Sequence, residues 1–178
     1  MVNETVKKAF GLVGVVVMFL VLTAVALSFV ISPVYAATAT LNNPYWDCVD
    51  SGKHLDWDGK TNYMPQFESA VNTWNGYKSG IIRKDTVWII EDVKISDYYE
   101  VSSVAASSSS NGKIKFNQYN MDVNTNAQNQ KICTAMLGSA LGLGATSVSS
   151  DVMYTYSNSV TSLSANDKAS YDAAYKKY

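Results

Sequence analysis

The sequence predicts a mixed α and β domain of about 140 residues behind an N-terminal export segment. Three observations carry this reading. The amino terminus passes from lysines into a long apolar run. Apolar residues then recur at helical spacing after Pro65, after Asn124 and after Ser164. Short β-branched or alternating runs separate those segments, as buried and half-buried strands do.

Lys7 and Lys8 precede an uncharged apolar stretch at 9–31, followed by Pro33 and the small-residue pattern Val34-Tyr35-Ala36. This is the layout of a signal peptide cleaved after Ala36. The stretch is also long enough to span a bilayer, so residues 1–36 read as a signal peptide or as an N-terminal membrane anchor. Both readings place residues 37–178 outside the cytoplasm, either secreted or held at the membrane by that segment alone.

Further along, Leu55 and Trp57 suggest a first strand at 53–57. From Pro65 a helix follows, with Phe67, Ala70, Val71, Trp74 and Tyr77 on its apolar face and an end near Gly80. The run Thr86-Val87-Trp88-Ile89-Ile90 has the composition of a largely buried strand. Residues 98–104 are a further strand candidate. Four serines at 107–110 read as a flexible loop, because they bury little apolar area. Asn111-Gly112 marks a turn, and Lys113-Ile114-Lys115-Phe116 alternates as a half-buried strand does. Thr125 with Gln128 forms a capping box ahead of a helix carrying Ile132, Met136, Ala140 and Leu143, which stops in the Gly142–Gly144 region. A last helix begins after Ser164, with Asp167 in its first turn, and buries Tyr171, Ala174 and Tyr175.

The charges nearly cancel, with Lys+Arg 14 against Asp+Glu 15, and they are scattered, so no basic stripe exists to neutralise phosphates. Nucleic acid is excluded as a partner on that ground. Two cysteines, Cys48 and Cys133, fall in the exported part, where they can form a disulfide or stay as thiols. A bridge between them would close a loop of about 85 residues, worth about 4 kcal/mol in the chain-entropy treatment.

One segment carries chemistry. Ala135-Met136-Leu137-Gly138-Ser139-Ala140-Leu141-Gly142-Leu143-Gly144-Ala145, followed by Ser150-Asp151-Val152-Met153-Tyr154, resembles the metzincin signature H-E-x-x-H-x-x-G-x-x-H with its downstream Met-turn. More narrowly it is similar to bacterial matrixin-like peptidases. The resemblance runs from Phe67 to Tyr178 and takes in residues 111–117, which are like the family's edge strand. It implies an α/β fold with a twisted, mostly parallel sheet, one antiparallel edge strand, two long helices and a C-terminal helix.

In that family two histidines four residues apart project from one helical face, a glycine turns the chain, and a third histidine completes a zinc site. A glutamate beside the first histidine polarises the zinc-bound water. In this sequence Ala135, Ser139 and Ala145 stand at the three ligand positions and Met136 at the glutamate position, whereas Gly142 and Met153 match. Residues that shape the scaffold are kept, and residues that perform the reaction are gone. No cofactor is therefore expected, although the family uses zinc.

Substitutes are lacking as well. His54 is the only histidine, so one chain cannot build a three-histidine site, and its place beside Leu55 suggests a surface residue. Ser139 has no positioned base, since a pairing of His54 with Asp56 is the kind any sequence shows by chance. Cys133 reads as a bridge partner or buried thiol, and Asp151 and Asp167 as turn and cap residues. The expected function is that of a secreted, monomeric pseudopeptidase that can hold an extended peptide along its edge strand. An active zinc endopeptidase with unidentified ligands and a non-enzymatic cell-envelope protein are the alternatives.

Overall fold

Alternation of apolar and polar residues sets the sheet. Strands β1 (Leu55–Gly59), β2 (Ile82–Lys84), β3 (Val93–Tyr98), β4 (Ala106–Ser109) and β5 (Lys113–Asn117) join in the order β2-β1-β3-β5-β4 in a computed structural model that describes residues 45–86 and 91–178. All neighbours run parallel except β4 and β5, which are antiparallel. The register pairs Leu55 with Ile82, Trp57 with Val93 and Ile95 with Ile114, so one face of the sheet is a continuous apolar surface. Lys94, Lys113 and Lys115 point to the opposite, exposed face.

Helices α1 (Met64–Tyr77), α2 (Gln118–Met121), α3 (Asn126–Ala140) and α4 (Ala165–Tyr175) supply the rest of the core. Helix α1 lays Phe67 against the apolar face, with its ring 4.9 Å from Trp57 and 6.2 Å from Phe116, both edge-on. The next inward residues, Ala70 and Trp74, are buried at helical spacing and meet α3. Trp74 Nε1 donates to Thr134 O at 3.0 Å, which satisfies the indole within the α1–α3 contact. Helix α4 closes the far side with Tyr171, whose ring lies 5.9 Å from Trp74.

The Thr125–Gln128 capping box forms at the start of α3 as the sequence suggests, and α4 starts after Ser164 as expected, with Ser164 and Asp167 forming a second capping box. Helix α1 ends at Tyr77, three residues short of Gly80. The serine run departs from expectation, since residues 106–109 are strand β4 rather than a flexible loop. Its stability comes from pairing, with Ala106 opposite Phe116 and Ser109 opposite Lys113, and from the turn at Gly112, whose N–H donates to Ser109 O at 3.0 Å. Only glycine fits that turn, because φ is +70° and a Cβ would lie 2.2 Å from Asp92 O. β4 is thus the sheet edge, and residues 113–117 form an interior strand rather than the edge strand that the resemblance implies. Serines suit such an edge, since it must stay soluble with one side unpaired.

The three-residue strand β2 was not anticipated, being too short to show periodicity. At 98–104 the chain is a strand only at Tyr98, and the rest is a loop. Asn117 explains why: its side chain accepts from Glu100 N at 3.0 Å and donates to Glu100 O at 2.8 Å and Val104 O at 3.0 Å. Those backbone groups, satisfied by one amide, have no need of a neighbouring strand. The apolar stretch at 9–31 and positions 87–90 of the expected strand lie outside the described residues. Among the described residues no helix is long and apolar enough to cross a membrane.

Cys48 and Cys133 are both free thiols, so the expected bridge is not made. A backbone bond from Cys48 N to Ala140 O, 2.8 Å, ties the first described segment to the end of α3 instead.

Replacing Asn117 with alanine removes the partner of Glu100 N, Glu100 O and Val104 O at once, groups that are only partly buried, so it is expected to cost about 2 kcal/mol. Urea unfolding of the two proteins measures this. A change below about 1 kcal/mol would mean that the 99–105 loop is held by something other than this side chain.

Candidate functional site

Helix α3 sets Lys131, Ala135 and Ser139 along one face at successive i, i+4 positions. This face forms one wall of a cavity of about 480 Å³. Ile132 and Met136 widen the wall, residues 103–106 at the start of β4 form a second side, and residues 153–157 form a third. Ala145 lies at the mouth, exposed. Positions 135, 136, 139 and 145, singled out by the resemblance, therefore border one space together with Met153.

Backbone geometry brings position 145 back to the helix. Gly142 takes φ +82°, Leu143 N donates to Gly138 O at 2.9 Å, and Gly142 N donates to Ser139 O at 3.0 Å. This paired pattern ends α3 with a left-handed glycine and reverses the chain. The next segment is closed by Thr146 N on Met153 O at 2.9 Å and Thr155 N on Thr146 O at 3.2 Å. Asp167 of α4 fixes its far end, accepting from Val152 N at 3.0 Å, Met153 N at 3.4 Å and Ser164 N at 2.9 Å. Asp151 is buried in the turn and accepts from Asn166 Nδ2 at 2.7 Å. Asp151 and Asp167 therefore serve as turn and cap residues, as expected, and Asp167 also anchors the Met153 turn.

Gly138 governs how closely that turn approaches. A Cβ at Gly138 would lie 2.5 Å from Met153 Sδ and 3.0 Å from Trp74 Cζ2. Met153 can press against α3 only because that position is bare.

The chemistry of the site follows from its donors. Ala135 is buried and Met136 and Ser139 are half-buried. Alanine offers no ligand atom, a methionine thioether is a poor partner for zinc, and Ser139 supplies one hydroxyl. The residues present do not fit a zinc ion. Ala145, at the third ligand position of the resemblance, is exposed. The single charged residue of the cavity wall is Lys131, which is 5% exposed. Its Nζ donates to Tyr154 O at 2.5 Å and to Tyr156 O at 3.3 Å. Burial lowers its pKa below the ordinary lysine value, and Asp167 opposes that shift.

Lys131 escaped the sequence reading. Its distance of four residues from Ala135 and eight from Ser139 was the available signal, since that spacing puts all three on one helical stripe.

The remaining candidates lie elsewhere. His54 is half-buried rather than on the surface, and its Nδ1 contacts Gly80 O at 2.9 Å. Asp56 is no partner for it, being held by Arg83 through two contacts at 2.8 and 2.7 Å. Asp50, Asp56 and Asp92 bring carboxylate oxygens within 4.8 Å of one another beside that guanidinium. Burial, together with Asp50 and Asp56, raises the pKa of Asp92. Cys133 is fully buried in the core, and desolvation pushes its thiol far up, so it is no nucleophile.

Gly138→Ala is expected to cost about 1–3 kcal/mol by overpacking. Met153→Ala alone leaves a void and costs about 2–5 kcal/mol. Together they should cost clearly less than their sum, because the truncated methionine leaves room for the new methyl group. Chemical denaturation of the three variants reads the coupling, and strict additivity would show that the two residues do not share the contact.

The chain matches no protein-family model, and no curated protein matches it.

Proposed function

We propose that this protein is an exported, matrixin-like pseudopeptidase, a peptidase scaffold that binds an extended peptide and does not cleave it. One observation carries the reading: the four positions where the metzincin motif would put its ligands and base border a single cavity, and none of them offers a site for zinc. Positions 135, 136 and 139 adjoin one another on α3 by helical spacing alone, so the informative part is the return of position 145 to the same space after the Gly142 turn. The sheet is compatible with that reading, since its one antiparallel strand is an edge strand beside the cavity, although it is Ala106–Ser109 and not the 111–117 segment to which the resemblance assigned the edge.

Binding would use the backbone of β4. That strand is paired with β5 on one side, and its other side pairs with no strand among the described residues. An extended peptide laid there gains main-chain hydrogen bonds and places alternate side chains toward the α3 wall. Without a metal-bound water or a general base, the bound peptide meets no nucleophile. The signal-like segment at 1–36 puts this binding outside the cytoplasm.

The purified chain, exposed to zinc and desalted, is expected to retain none. The fourfold variant Ala135→His, Met136→Glu, Ser139→His and Ala145→His should retain about one zinc per chain, because two ligands return to one helical face and the third returns after the Gly142 turn. A folded variant that still holds no zinc would sink the alignment with the metzincin motif. Tightly held zinc in the parent chain would instead revive the active-enzyme reading.

The mature amino terminus is expected at Ala37. Intact mass of the protein recovered from the producing cells and their medium measures this, and a retained segment 1–36 would make the protein membrane-anchored.

A further inference from the structure

Lys131 is out of balance with its surroundings. An ammonium group carries three N–H donors and a full charge, and burying it is costly unless both are met. Two donors reach Tyr154 O and Tyr156 O, both neutral carbonyls. No carboxylate lies within ion-pairing distance among the described residues, whose ion pairs are Arg83 with Asp56 and Lys94 with Glu91. The cavity wall contains no aspartate or glutamate at all. Asp167 acts on it only from beyond ion-pairing distance, its oxygens accepting from the amides of Val152, Met153 and Ser164. The cavity thus carries one cation, nine-tenths buried, with a donor to spare and no carboxylate in the wall or within ion-pairing distance among the described residues.

We infer that the cavity selects a peptide carrying a carboxylate, which completes the Lys131 ion pair in the space between α3 and residues 153–157. This rests on the reading that the cavity and β4 together hold a peptide. A carboxylate is the ligand chemistry that meets both deficits, supplying the negative charge and an acceptor for the third N–H. A ligand side chain of modest length fits a cavity of about 480 Å³ whose wall also includes the apolar Ala135, Met136, Ile132 and Met153 and the neutral polar Asn120, Asn124 and Ser139. The carboxylate can belong to an internal acidic side chain or to the free end of a peptide, and both present the same two oxygens. Lys131 would be a specificity-determining residue, because an uncharged isostere would leave the ammonium unpaired.

Three peptides of one alanine- and leucine-rich sequence separate the sources: a central glutamate with blocked ends, a central glutamine with blocked ends, and the glutamine form with a free carboxyl end. Titration calorimetry on the full mature protein is expected to show one of the two acids binding at least about tenfold tighter than the neutral peptide. Lys131→Met should erase that ratio while leaving the neutral peptide's affinity within about threefold. Lys131→Gln is the second variant, since its amide can still donate to the wall carbonyls and only the charge is lost; it too should erase the ratio. A lysine that merely fastens residues 154–156 would weaken all three peptides alike. If all three bind the native protein equally, or if the variants keep the ratio, the carboxylate assignment is overturned and the peptide reading stands. If none binds, both are overturned.

Discussion

The missing side chain at Gly138 is the constraint on which the site depends. Three elements meet there: Trp74 of α1, the α3 backbone, and Met153 from the turn beyond the helix. A methyl group would hold all three apart, and the wall at 153–157 would move away from α3. The indole N–H of Trp74, bound to Thr134 O one turn earlier, locks the α1 side of the same junction. The size and shape of the cavity therefore follow from a close approach that is decided beneath it rather than from the residues lining it.

That separation of support from lining means that the scaffold does not depend on what chemistry the wall carries. Gly138, Gly142, Met153 and Asp167 act through backbone conformation, packing and amide capture, and none of these needs a metal. Ser139 is half-buried and Ala145 exposed, so changing them costs the fold little, whereas Ala135 is buried in the core and Met136 packs against it. Those two and Met153 make the wall largely apolar. Lys131 is the exception, a buried charge retained where an apolar residue would pack more easily.

Features governed by local chemistry were legible in the sequence. The Thr125–Gln128 and Ser164–Asp167 boxes and the left-handed Gly142 need only a few neighbouring residues to be right, and all three are present. Features governed by distant partners were not. Ser107 and Ser108 have no strand propensity of their own and become β4 because β5 and the Gly112 turn hold them. The loop after Tyr98 looked like a strand until Asn117, remote in sequence, supplied its hydrogen bonds. Arg83 and Asp56 form a close pair that no spacing rule announces. In the site, the motif positions could be named from their order, whereas the weight of Lys131 appeared only when the absence of a nearby acid could be seen in three dimensions.

Asp167 gives the molecule a direction in time. Its carboxylate holds the amides of Val152 and Met153, yet it belongs to the last helix. The sheet and the α1–α3 pair are built from segments that precede it, so the turn at Val152 and Met153 is fastened only when α4 has formed and docked. Until then the cavity lacks a fixed third side, and closing it is a late step of assembly that a single carboxylate controls.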